Sequence, residues 1–191
     1  LVWFVPLPRG HFWTLCWISF IAATLQYGLT FSGLALMAAT PAVLLVQSEV
    51  IFGVIIAAIL LGERPSLRQI LGIAMASCGV VVILGAPALE GQWLGIGLVL
   101  SGALVWAFGQ VLIRRLDGAL GGFQLTAWIG VMAGPQMLLV SCLIDGNPLP
   151  AIQAAPIEAW LTVIYLGVVM TAIGYSAWYY VLARYPVPMV M

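Results

Sequence analysis

Long apolar blocks alternate with short polar or Pro/Gly-marked breaks along the whole chain. Six blocks are long enough to cross a bilayer as helices, which takes about 17 to 25 residues. They are 12–33, 40–61, 67–86, 93–113, 123–144 and 159–182. The stretch 1–5 reads as the tail of an earlier span and 188–191 as the head of a later one, so the sequence is expected to be a piece of a longer protein. Pro41 stands at the start of the second span, where its missing N–H costs nothing, and Gly62 and Pro65 close it. Pro135, behind Gly134, predicts a kink inside the fifth span. The longest connection, 145–158, holds Pro148, Pro150 and Pro156 and is expected to be irregular.

Short connections make successive helices antiparallel, so breaks fall alternately on two sides. One side collects Arg9, Arg64, Arg68, Arg114, Arg115 and Arg184, which are all the cations of the chain. The other side carries Glu90, Asp145 and Glu158 and no cation. By the positive-inside rule the Arg-bearing loops are cytoplasmic, in an inner (plasma) membrane protein of many passes. One missed or extra span would scramble this division, so it also supports the span count.

Composition agrees. Apolar residues make up 64% of the chain and charged residues 6%, against about 25% charged in a soluble domain. With zero formal net charge, nothing points to a nucleic-acid partner; the partner this composition implies is the lipid bilayer. Cys16, Cys78 and Cys142 each lie in an apolar block and read as small packing residues. No metal-ligand cluster, Ser-His-Asp set or glycine-rich phosphate loop occurs. No catalytic residue, metal or cofactor is therefore assigned.

Sliding the chain by 148 positions lays 12–43 on 160–191. Thr14 then meets Thr162, Tyr27 meets Tyr175, and Leu34-Ala35 meets Leu182-Ala183. Four identities carry little weight in apolar sequence, but the topology adds to them. The first span starts on the Arg side and the sixth on the other, so matched helices would be antiparallel, as in inverted-topology transporters.

Leu61-Gly62-Glu63-Arg64 closes a span that opens with Ala38-Ala39-Thr40-Pro41-Ala42. Gln69-Ile70-Leu71-Gly72-Ile73 and Gly79-Val80-Val81-Val82-Ile83-Leu84 follow. This order resembles the closing part of one repeat of the drug/metabolite transporter superfamily, in its EamA-type branch. The run from Gly102 through Trp106 to Arg114-Arg115 is similar to the helix that opens each repeat there. The resemblance implies an all-α helix bundle of ten spans in two inverted five-helix halves, incomplete in this sequence. Residues 1–86 would be the C-terminal part of the first half and 93–191 the N-terminal part of the second. It further implies a transporter that exports small metabolites, amino acids or their derivatives, by alternating access around a central cavity. Where many members place Pro in the middle of the fourth helix, this chain has Gln47-Ser48-Glu49.

Glu49 lies near the bilayer midplane, where a carboxyl costs roughly 2.5 to 3.5 kcal/mol on insertion scales. Three roles are open to it: a ligand for a substrate amine, a proton-coupling group, or a structural partner of a neighbouring helix. Gln47, about 200° around the helix from Glu49, cannot share its face. Gln26 and Gln110 are further mid-span amides that need partners, with helix-to-helix bonding as the plainer role. Trp106 and Gln110 share one face, and Tyr175, Trp178 and Tyr179 another. With Tyr27 these form candidate cavity walls for an amphipathic solute, the alternative being ordinary packing. Glu63, Arg64 and Arg68 make a candidate clamp at the cytoplasmic boundary. Trp13, Trp93 and Trp160 read as interface anchors, and His11 as a solvated residue at a span start. Gly72, Ala76, Gly79, Gly97 and Ser101 offer small-residue faces for close helix contact. An intramembrane enzyme and a structural or signalling membrane protein are the competing functional classes; solute uptake into liposomes separates them from a transporter.

Overall fold

The computed structural model describes residues 9–84, 89–116, 120–144 and 146–190. The expected flanking tail at 1–5, the end of the third expected span at 85–86, Asp145 and Met191 lie outside the described residues. The described chain is all-helical. Five helices are long and apolar enough to cross a membrane: α1 (Phe12–Leu34), α2 (Ala39–Leu61), α4 (Trp93–Arg114), α5 (Gly122–Ile144) and α7 (Ile157–Leu182). Between them lie α3 (Leu67–Leu84), the third expected span, whose described part is 18 residues long, and a short α6 (Leu149–Ala154). The last described element is α8 (Val187–Val190).

The connection expected to be irregular is thus partly helical. Asn147 explains why: its side-chain oxygen accepts from the Leu149 amide at 3.0 Å, a local cap that starts α6 ahead of Pro150. Other ends follow the sequence signals. Gly62 adopts φ 68° after the last turn of α2, the left-handed stop that glycine allows. Ser66 and Gln69 form a capping pair at the start of α3, with Gln69 Oε1 accepting from the Ser66 amide at 2.7 Å. Helix α5 continues through Pro135.

Helix α4 is the axis of the bundle. Its small residues press on α1: Gly95 on Gly33, Gly102 on Thr30, and Gly109 on Ala22. These pairs step in opposite directions along the two helices, so α1 and α4 are antiparallel. A Cβ at Gly109 would lie 2.5 Å from the Ala22 Cβ, which is why glycine stands there. The faces expected to pack closely do not. A side chain at Gly72, Gly79 or Gly97 would meet nothing within 4 Å, and Ala76 and Ser101 are exposed. A small-residue spacing occurs on outward faces as well as inward ones, and only the neighbour decides between them.

Helix α5 lies along α1 in the same direction, since Ala22 and Ala23 share a cavity wall with Ile129 and Ala133, while Leu36 and Ile144 line a second cavity. Helix α7 runs against α5, with Gly122 on Ser176 and Tyr180. Helices α1 and α7, matched by the 148-residue shift, are therefore antiparallel. One core gathers Leu15, Ile18, Val111, Leu125, Ile129, Tyr179 and Leu182; a second gathers Ala42, Leu45, Leu89, Ile96 and Val99. Outward faces stay apolar, as lipid contact requires: Met75, Val82, Leu143 and Ile164 are all exposed. Trp13, Trp93 and Trp160 stand at helix ends with their indoles exposed.

The breaks after α2, α4 and α7 meet at one end of the bundle. Arg115 donates to Leu60 O at 2.9 Å and Arg114 to Ala183 O at 3.1 Å, which brings 60–69, 114–115 and 183–188 to one end. At the other, Gln92 accepts from the Ala38 amide at 3.2 Å.

Candidate functional site

Three helices are irregular where polar residues cluster. Helix α2 is interrupted by one tightened turn at Gln47, which keeps right-handed helical angles, between Ala39–Val46 and Ser48–Leu61. The Gln47 amide bonds Leu44 O at 3.3 Å and the Val50 amide bonds Gln47 O at 3.2 Å, both three residues back, so the turn is tightened. Ser48 sustains the break by donating its hydroxyl to Leu45 O at 2.6 Å, where a proline would have done so by lacking an N–H. Glu49 therefore occupies the first turn of a half-helix. Helices α1 and α7 widen to π spacing at Phe20–Leu25 and Leu166–Tyr175, and π turns recur at functional sites.

The widened turns deliver Tyr27 and Tyr175 to one another, hydroxyl to hydroxyl at 3.5 Å. Tyr175 leans on Tyr179 at a ring separation of 5.6 Å, and Tyr27 stacks on Phe31 at 5.6 Å. The two faces read from spacing meet edge to edge. Trp178 Nε1 donates to Gln110 Oε1 at 2.8 Å, and the Trp106 and Trp178 rings lie 6.0 Å apart. A line of polar tips, Gln110 with Trp178 and Tyr175 with Tyr27, is thus walled by indole and phenol rings. Such a line can donate and accept hydrogen bonds while its rings cover an apolar moiety. Beside it, a cavity of about 210 Å³ is lined by Tyr27, Thr126, Thr171, Tyr175 and Tyr179.

Two candidates stand apart from this set. Gln26 is buried at the α1–α4 contact and donates to Thr30 Oγ1 at 3.2 Å. Gln47 is exposed at the break itself. The boundary clamp is also assembled differently from the expectation. Glu63 Oε1 lies 3.7 Å from Arg114 Nε, and Glu63 Oε2 accepts from the Val187 amide at 2.7 Å. Gln69 donates to Pro188 O nearby. Arg64 and Arg68 are exposed, and among the described residues the ion-pair partner of Glu63 is Arg114. In the non-helical stretch after Gly62, side chains adjacent in sequence point apart, whereas the end of α4 lies alongside.

The spacing argument missed Gln136. It lies between α5 and α1, where Thr24 donates to its Oε1 at 2.8 Å and its Nε2 donates to Ser19 Oγ at 3.2 Å. A mid-span amide was the available signal, masked by the kink expected of the neighbouring Pro135.

Fold and site together define a polytopic helical membrane protein with an interrupted span and an aromatic, amide-bearing interior. The chain belongs to the EamA-like transporter family, with the match covering residues 2–85 and 93–191. The family is one of membrane transporters. It is 26% identical to a probable amino-acid metabolite efflux pump of Escherichia coli (strain K12), over 96% of this chain and 64% of that protein. It is 30% identical to a probable terminal-alkyne amino-acid exporter of Streptantibioticus cattleyicolor, over 74% of this chain and 46% of that protein. An uncharacterized inner membrane transporter of Escherichia coli (strain K12) is 27% identical over 64% of this chain and 39% of its own length. The chain thus spans less than two thirds of the length of these relatives. No solved structure matches it.

Proposed function

We propose that the protein exports small amphipathic metabolites, amino acids or their derivatives, across the inner membrane, by alternating access around the space bordered by Glu49, Tyr27, Tyr175, Tyr179, Gln110, Trp178 and Trp106. The observation that carries this reading is the pair of interior contacts, Tyr27 with Tyr175 and Trp178 with Gln110, set among aromatic rings within apolar spans. The names of the two amino-acid exporters above support the substrate class. In this reading the Arg-bearing loops face the cytoplasm, and residues 1–86 and 93–191 belong to two inverted halves. The contact between Tyr27 and Tyr175 supports the halves: residues related by a two-fold axis touch each other only near that axis, and these two are 148 positions apart, the repeat spacing. The π turns also correspond, since 20–25 shifted by that spacing falls inside Leu166–Tyr175. The test is transport by purified full-length protein in liposomes loaded with one labelled amino acid at a time. Saturable exchange that Tyr175→Phe or Gln110→Leu weakens supports the reading; catalytic turnover without exchange overturns it. A coupled proton, if Glu49 carries one, would show as exchange driven by an imposed pH gradient.

A further inference from the structure

Gln136 takes no part in the polar line, yet its contacts reach the turn that aims Tyr27 and the residues just before it. Its Oε1 accepts from Thr24 at 2.8 Å, its Nε2 donates to Ser19 Oγ at 3.2 Å, and Ser19 in turn donates to Cys16 O at 2.8 Å. Cys16 and Ser19 precede the widened turn Phe20–Leu25 and Thr24 lies inside it. Ser19 and Thr24 are both essentially inaccessible, at 0% and 1% exposure. One amide therefore ties the residues just before the irregularity to one inside it in a single chain of hydrogen bonds.

A π turn holds one residue more than an α turn. Relaxing it to α spacing rotates everything beyond it by roughly one residue, about 100°. Tyr27 lies two positions past the end of the turn, so its hydroxyl meets Tyr175 only while the turn stays wide. Without an outside acceptor, a threonine hydroxyl in a helix bonds back to its own carbonyl four residues earlier. Gln136 supplies that outside acceptor, and Pro135 places it on a helix already lacking one backbone donor.

We propose that Gln136 is a positioning residue: it holds the widened turn of α1 and thereby sets the direction of Tyr27 toward Tyr175. The inference rests on the reading of Tyr27 as part of the substrate site, but its test needs no substrate. In full-length protein, 3-fluorotyrosine is introduced at position 27 and its ¹⁹F resonance followed in detergent. Tyr175→Phe should shift that resonance in the parent background. Gln136→Leu and Thr24→Val should each shift it too, and in either background Tyr175→Phe should then have no further effect. Thr24→Ser, which keeps the hydroxyl, should behave as the parent, and Thr24→Val decides the matter if Gln136→Leu does not fold. If the response to Tyr175→Phe survives in Thr24→Val or Gln136→Leu, or is missing from the parent, the positioning role is overturned. If the shifts occur as expected while Tyr27→Phe leaves liposome exchange unchanged, the positioning role stands and the substrate-site reading of Tyr27 fails.

Discussion

Trp178 and Gln110 carry the most exposed consequence at the residue scale. Gln110 is 1% exposed, and its carbonyl accepts the Trp178 indole N–H. Trp178→Phe leaves that carbonyl without its donor, and an unsatisfied buried acceptor costs about 1–3 kcal/mol. A lower melting temperature in detergent is expected, whereas Tyr180→Phe, on an exposed ring beneath Arg184, should melt as the parent does. Glu49 gives a second expectation. As a site carboxylate it should lose transport on Glu49→Gln with membrane yield preserved. A structural hydrogen-bonding role gives the opposite pattern, with Gln tolerated and Glu49→Leu poorly produced. Most of these residues were legible from spacing, because helical periodicity places Trp106 with Gln110 and Tyr175 with Tyr179. What spacing could not show is which faces meet. Gln26 looks the same in sequence as Gln110, yet it turns to Thr30 at a helix contact, and Gln136 is signalled only by its polarity.

At the scale of elements, close packing of α4 on α1 is what fixes the aromatic set, and glycine makes it possible. Helix propensity alone favours alanine over glycine by roughly 0.8–1.0 kcal/mol. Gly97→Ala, on an open face, should therefore be neutral or stabilising. Gly109→Ala forces a Cβ against Ala22 and should be destabilising by about 1–3 kcal/mol. Thermal melts of the two variants should move in opposite directions from the parent, or at least differ in this order. Sequence located the helices to within a few residues but assigned the small-residue contacts to Gly72, Gly79 and Gly97. Glycine spacing records where a helix can approach a neighbour, and only tertiary pairing records where it does. The break in α2 was likewise hidden, since it is sustained by the Ser48 hydroxyl in a sequence with no proline at that point.

For the whole molecule, the gathering of 60–69, 114–115 and 183–188 at one end gives the charge asymmetry a physical location. Reporter fusions after Arg68 and Arg115 should report cytoplasm, and fusions after Glu90 and Asp145 periplasm; any one on the wrong side would revise the order of spans. Glu63 joins the end of α2 to Arg114 of α4 and to the Val187 amide, so the same end is tied across three parts of the chain. This grouping was foreseeable from the alternation of the loops, although the identity of the ion pair was not, because it joins residues 51 positions apart (63 and 114). The most direct measurement for the transport reading is counterflow: full-length protein in liposomes preloaded with an unlabelled amino acid, with the labelled form supplied outside. Transient accumulation of label above equilibrium, reduced in Tyr175→Phe and Gln110→Leu proteins that melt normally, is the result expected. No accumulation across a panel of amino acids and their derivatives, or accumulation equal in parent and variants, would contradict it.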